Sequence, residues 1–263
     1  MELSQLINNI KQKKTYLCLG LDTDIDKIPK HLLKHSDPVY EFNKSLLDRL
    51  HPKIIAVKIN TAFYESTGSK GWLSLEKIIN YININYPELF TIADAKRADI
   101  GNTSNMYAKA FFKKMNFDSI TISPYMGEDS VNEFLKYKNK YAILLALTSN
   151  KGAKDFQLKN DLFLDVINLS KEWENSNKLM YVVGATKTTH YKKIRDIVPN
   201  SFLLIPGVGS QGGEIKDVIN QSTSTSNNII INISRAIIYS SSGTDYIDKA
   251  EEVVDKYNKQ INL

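Results

Sequence analysis

Eight short, largely apolar runs recur along the chain: 16–21, 54–57, 90–94, 118–123, 141–147, 179–183, 202–205 and 229–233. Strands buried on both faces read this way, because neither face offers water to a polar side chain. Between the runs, apolar residues recur at three- and four-residue spacing, as Leu3, Leu6, Ile7 and Ile10 do. That period predicts helices over 3–10, 38–50, 73–86, 103–115, 130–137, 162–173, 189–197, 215–219 and 245–259. Boundary residues agree with it. Asp37 and Pro38 suit an N-cap and a first helical position, while Pro87 and Pro199 each stop a helix. The polar stretch 221–228 reads as a surface loop. An even strand–helix alternation predicts an α/β fold with a parallel sheet, and eight repeats are the number that closes a (β/α)8 TIM barrel. A doubly wound open sheet is the alternative, but the pattern shows no second domain or switch point. No linker divides 1–263, so a single domain is expected.

In such a barrel the C-terminal ends of all strands share one rim, and the rim carries the chemistry. Those ends supply Asp22, Lys58, Asn60, Asp94, Lys96, Ser123, Thr148, Ser149, Thr186, a glycine-rich stretch over 206–213 and Arg235. The opposite ends offer no convergent set. The densest stretch is 94–102, with two carboxylates and two cations before a glycine. Alone it reads as a solvated charged loop. Aligned partners on one rim make it a candidate catalytic centre. If strand geometry persists to Lys96, Asp94 and Lys96 share a side, because side chains repeat every two residues. Asp99 lies past the turn, beyond the reach of periodicity. The loops after the seventh and eighth strands are where barrels usually hold a phosphate. Gly207, Gly209, Gly212 and Gly213 would let backbone N–H groups approach an anion, and Gln211 and Arg235 add side-chain donors.

Composition narrows the function classes. Apolar residues make up 42% and charged residues 24%, enough for a full core in an ordinary globular protein. The net charge of +5 comes from scattered lysines, which argues against a nucleic-acid partner and weakly suits an anionic substrate. No apolar run approaches the roughly 20 residues of a membrane-spanning helix, and the first 14 residues lack a signal-peptide core. A cytoplasmic protein is expected. The single cysteine, Cys18, excludes an internal disulfide and a thiolate zinc site, and its apolar setting marks a core thiol. His31, His35, His51 and His190 are dispersed, with no metal-binding spacing, nucleophile elbow or Walker loop. A magnesium ion on Asp22 and Asp94 would compete with two lysines, so no metal is expected.

The residues Asp94-x-Lys96-x-x-Asp99-Ile100-Gly101-Asn102-Thr103, with Lys58 at the second strand end and Pro206-Gly207-Val208-Gly209 before Gln211, resemble the orotidine 5′-monophosphate decarboxylase family. The likeness covers essentially the whole chain and is nearest the longer bacterial and protozoan branch. It implies cofactor-free conversion of orotidine 5′-monophosphate to UMP and carbon dioxide, in pyrimidine biosynthesis. It implies Lys96 as the acid that protonates C6, within a charged array of Lys58, Asp94, Lys96 and Asp99. Asp22, Lys58 and Asn60 would face the ribose, Ser149 the base, and Gln211 and Arg235 the phosphate. Thr148, Pro206 and Ser234 complete the implied substrate-binding set. Asp99 and Thr103 would reach the neighbouring active site of a homodimer. Two other readings remain open: a magnesium-dependent phosphosugar decarboxylase or isomerase on the same barrel, and a barrel that only binds nucleotides.

Overall fold

Strands and helices alternate as the apolar pattern requires. In the computed structural model, which describes residues 1–209, 213–222 and 228–261, the chain runs α1 (Leu3–Lys13), β1 (Leu17–Gly20), α2 (Pro38–Leu50), β2 (Ala56–Asn60), α3 (Ala62–Glu65), α4 (Ser69–Asn85) and β3 (Phe90–Arg97). It continues through α5 (Gly101–Ala108), β4 (Ser119–Ile122), α6 (Asn132–Leu135), β5 (Tyr141–Leu147), α7 (Leu162–Ser170), β6 (Leu179–Val183) and α8 (Tyr191–Ile197). β7 (Leu203–Pro206), α9 (Ile215–Ser222), β8 (Ile229–Ile233), α10 (Arg235–Ile238) and α11 (Tyr246–Ile261) complete it. The eight strands close in sequence order, β1 to β8, as a (β/α)8 TIM barrel.

Several expected helices differ in extent: α4 begins at Ser69 rather than at 73, and α7 ends at Ser170 rather than at 173. The segment 130–137 holds only α6, because Val131, Phe134 and Leu135 bury and the apolar period then runs out. The helix expected over 103–115 starts at Gly101 and changes to a π turn over Lys109–Lys114, where adjacent Phe111 and Phe112 are both buried. Helix α9 extends through Gln221 to Ser222, so the expected loop over 221–228 begins later, and most of it lies outside the described residues.

The chain divides into two compact units, the cut falling inside β3. The first comprises Met1–Ala95, Met115–Phe117 and Ile233–Leu263. There Gly20 pairs with Lys58 and Asn60 with Asp94, which sets the strand ends level. Asp37 caps α2 as expected, its Oδ1 accepting from the Tyr40 N–H at 3.1 Å. The same carboxylate accepts from Ser74 on α4 at 2.7 Å and from Lys77 at 3.0 Å. At the far end of α2, Asp48 accepts from the hydroxyls of Tyr81 (2.6 Å) and Tyr86 (2.8 Å) and pairs with Lys44. Both ends of α2 are therefore fixed to α4. Cys18 is fully buried on β1, and burial pushes its thiol far up.

The second unit comprises Lys96–Lys114 and Asp118–Asn232, with β4 to β7 and most of β8 in parallel register. Buried Arg195 donates to the carbonyls of Ser201 (2.6 Å) and Asn228 (2.9 Å), which fixes the approaches to β7 and β8. Burial lowers its guanidinium to about 10.

Candidate active site

The first unit holds three of the expected charges in one cluster. Lys58 Nζ lies 2.6 Å from Asp94 Oδ2 and 3.6 Å from Asp22 Oδ1. Lys58 and Asp94 are only 4% and 8% exposed, so neither charge has much water. Register explains the meeting. Gly20 lies level with Lys58 and Asn60 level with Asp94, so the three strand ends deliver side chains to one place. Burial alone would lower the Lys58 ammonium, but Asp94 and Asp22 outweigh it and hold the group above the ordinary lysine value. Lys58 is a fixed cation. Asn60 is turned to a local task, its Oδ1 accepting from the Ala62 N–H at 3.2 Å. Ser234, which precedes α10, has its Oγ buried without a hydrogen-bond partner among the described residues, and Arg235 is exposed at the first position of α10.

A polar lattice behind Asp22 escapes sequence reasoning. Thr23 donates to Asn43 at 2.6 Å, Asn43 to the Tyr64 hydroxyl at 2.9 Å, and Tyr64 to the Leu21 carbonyl at 3.3 Å. The Tyr239 hydroxyl donates to the Asp22 carbonyl at 3.0 Å and accepts from the Asp24 N–H at 2.7 Å. The chain leaving β1 is thereby held at both edges. Polar residues on otherwise apolar helix faces, such as Asn43 on α2, are the only signal the sequence carries for this lattice.

In the second unit, Lys96 stands near the end of β3 with φ at +47°. Strand β3 runs through Arg97, with Lys96 itself in a left-handed backbone. Its N–H donates to Thr121 Oγ1 of β4 at 2.9 Å, which fixes the turn, and its side chain is exposed. Asp99 is half-buried. Its Oδ1 accepts from the Ile100 N–H at 2.8 Å, and its carbonyl accepts from Ser104. Thr103 is exposed on α5. The Thr148 N–H and hydroxyl reach Gln157 Oε1 at 2.7 and 3.0 Å, and the Ser149 carbonyl accepts from Thr186 at 3.4 Å. Gly184 has no room for a side chain, since a Cβ there would meet the Ser149 N at 2.6 Å. After β7, which ends at Pro206, Gly207 and Gly209 take positive φ values of 97° and 76°. The Gly209 N–H donates to the Gly213 carbonyl at 3.0 Å. Gln211 and Gly212 lie outside the described residues. Among the described residues, no three His, Cys, Asp or Glu side chains gather as a metal set, and no helix is long and apolar enough to cross a membrane.

Comparison with known proteins gives one answer. Residues 15–250 match the model of the orotidine 5′-phosphate decarboxylase / HUMPS family. The orotidine 5′-phosphate decarboxylase of Flavobacterium johnsoniae is 54% identical over 265 residues, covering 99% of this chain and 97% of that protein. The protein of the same name from Phocaeicola vulgatus is 52% identical, covering 99% and 98%. Among solved structures, the OMP decarboxylase of Leishmania donovani superposes with a TM-score of 0.81 at 29% identity, over 99% of each chain.

Proposed function

We propose a reaction scheme from one premise: the chain belongs to the orotidine 5′-phosphate decarboxylase / HUMPS family and is a carboxy-lyase acting on orotidine 5′-phosphate. In the scheme the bond from C6 of the pyrimidine to the carboxyl carbon breaks, carbon dioxide leaves, and the electron pair stays on C6. The ring delocalises that pair poorly, so an acid must already stand at the carbon. Lys96 is that acid, giving a proton from its ammonium to C6 and placing a cation beside the developing charge. Asp94 stands by the departing carboxylate and disfavours the ground state relative to the carbanion. Lys58 holds Asp94 and Asp22 in place and faces the ribose with Asp22 and Asn60. Ser149, beside Thr148, meets the base. Pro206, Gln211, Ser234 and Arg235 serve the phosphate end, and the loops around Ser149 and Gln211 close over substrate. No cofactor or metal takes part.

The observation that carries the scheme is the buried Lys58–Asp94–Asp22 cluster at 2.6 and 3.6 Å. Two buried charges and a third only partly exposed, at the ends of adjacent strands, are costly for folding alone, and perturbed charge clusters of this kind gather at active sites. A homodimer completes the proposal, with Asp99 and Thr103 serving the partner's site. Support comes from the exposed apolar Ile100, Met106 and Met126, which a second copy would cover. The family match over 15–250 supports one domain, and the lone buried thiol supports a cytoplasmic setting. The test is an ultraviolet assay on orotidine 5′-monophosphate with and without a chelator. Equal turnover in both arms is expected; turnover lost with chelator overturns the metal-free scheme.

A further inference from the structure

We propose that Asn232 is a substrate-contacting residue whose side-chain amide hydrogen-bonds the nucleoside part of the bound nucleotide. The proposal rests on the decarboxylase reading above and adds a residue to it.

Strand register fixes where Asn232 points. The Tyr181 hydroxyl on β6 shares a 2.9 Å hydrogen bond with Ser170 at the end of α7, so Tyr181 faces the helix layer. Tyr181 is level with Leu203, and Leu203 with Ile229, so these three share that outer side. Side chains alternate along a strand, which turns Leu204 and Ile230 inward, and after them Pro206 and Asn232, which are level with each other. Asn232 therefore projects into the barrel interior at the C-terminal end of β8. It is only 6% exposed, and its Oδ1 has no hydrogen-bond partner among the described residues.

Within the second unit its inward neighbours are apolar: Leu204, Pro206 and Ile230 line the same face. A leucine has nearly the shape of an asparagine and would suit that face better in the free protein. An unpaired amide oxygen in such a place weakens the fold, and buried polar groups are otherwise paired as a rule. The amide gains its partner when a molecule offering donors and acceptors occupies the barrel mouth. A nucleoside offers both, in its ribose hydroxyls and in the carbonyls and N–H of its base. Phosphate is the poorer match, because it brings only acceptors to an unpaired acceptor. Asn232 also lies within the strand, three residues before Arg235, rather than in the loop after it where phosphate donors gather.

The test compares wild type with Asn232→Leu and Asn232→Ser, after circular dichroism has shown each to be folded. Inhibition constants for UMP and for inorganic phosphate are measured against orotidine 5′-monophosphate turnover, and melting temperatures with and without UMP. In Asn232→Leu we expect an unchanged or higher melting temperature without ligand. The UMP inhibition constant should rise about tenfold or more, with a matching fall in kcat/KM, as for a lost hydrogen bond inside a polar-reading site. The phosphate constant should stay unchanged, and Asn232→Ser should fall between the two. Unaltered UMP inhibition in a folded Asn232→Leu overturns the assignment, as does a parallel rise for phosphate. If Asn232→Leu fails to fold, Asn232→Ser carries the same criteria. A wild-type protein that neither consumes orotidine 5′-monophosphate nor binds UMP overturns the decarboxylase reading itself, and this assignment with it.

Discussion

Lys96 sits in a backbone conformation that lysine rarely adopts, with φ at +47°. A left-handed non-glycine residue costs on the order of 1 kcal/mol, which persists where function requires the side chain. If Lys96 is the proposed acid, Lys96→Ala and Lys96→Gly should both lose about a thousandfold or more in turnover. Urea melts should find the glycine variant more stable than the alanine variant by about 1 kcal/mol, because glycine relieves the strain. Lys58 behaves differently. Replacing it with Met leaves the Asp94 and Asp22 carboxylates facing each other with little water, at a cost of about 3 kcal/mol. The folded-state pKa of Lys58 lies above the ordinary 10.5, so the charged form stabilises the fold. That contribution is complete below the unfolded value and is lost as pH rises through the folded one. The stability gap between wild type and Lys58→Met should therefore stay constant from neutral pH to about pH 10 and shrink above it, as denaturant melts across that range would show.

Strand exits, helix caps and clamps define the next scale. Gly184 follows β6 and allows the chain at Ser149, after β5, to pass at backbone distance. A methyl group there meets backbone rather than a movable side chain, so Gly184→Ala must push two strand exits apart. A loss of about 2 kcal/mol in denaturant melts is expected, with raised KM, since Ser149 moves too. The α2–α4 clamp is a second case. Burial pushes the Asp48 carboxyl up, but Lys44 and the Tyr81 and Tyr86 hydroxyls outweigh it and hold the group below the ordinary carboxylate value. Its contribution is present above that value and lost as pH falls through the folded pKa. Asp48→Asn should lower stability by about 1 kcal/mol at neutral pH, the hydrogen bonds being screened by solvent, and the difference should fade in acid melts.

The whole molecule brings in the second copy that the proposed function requires. If Asp99 serves the neighbour, Asp99→Ala and Lys96→Ala should each be inactive alone. Mixed as unfolded chains and refolded, they should regain about one quarter of wild-type activity, because half the dimers then carry one intact site. Recovery of nothing would place Asp99 with its own chain. Much of this architecture is legible in the sequence. The continuous apolar runs mark strands buried on both faces, their even spacing sets the barrel, and charges at run ends such as Asp22, Lys58 and Asp94 mark the rim. These are local properties, carried by residues a few positions apart. Other features depend on residues far apart in sequence or on backbone angles that no periodicity encodes. Examples are the left-handed turn at Lys96, the lattice of Thr23, Asn43, Tyr64 and Tyr239 behind Asp22, the clamp on Asp48, and the inward direction of Asn232. The sequence by itself determined which residue types reach the rim. Only the tertiary structure decided which of them meet, because strand register sets those distances across dozens of residues.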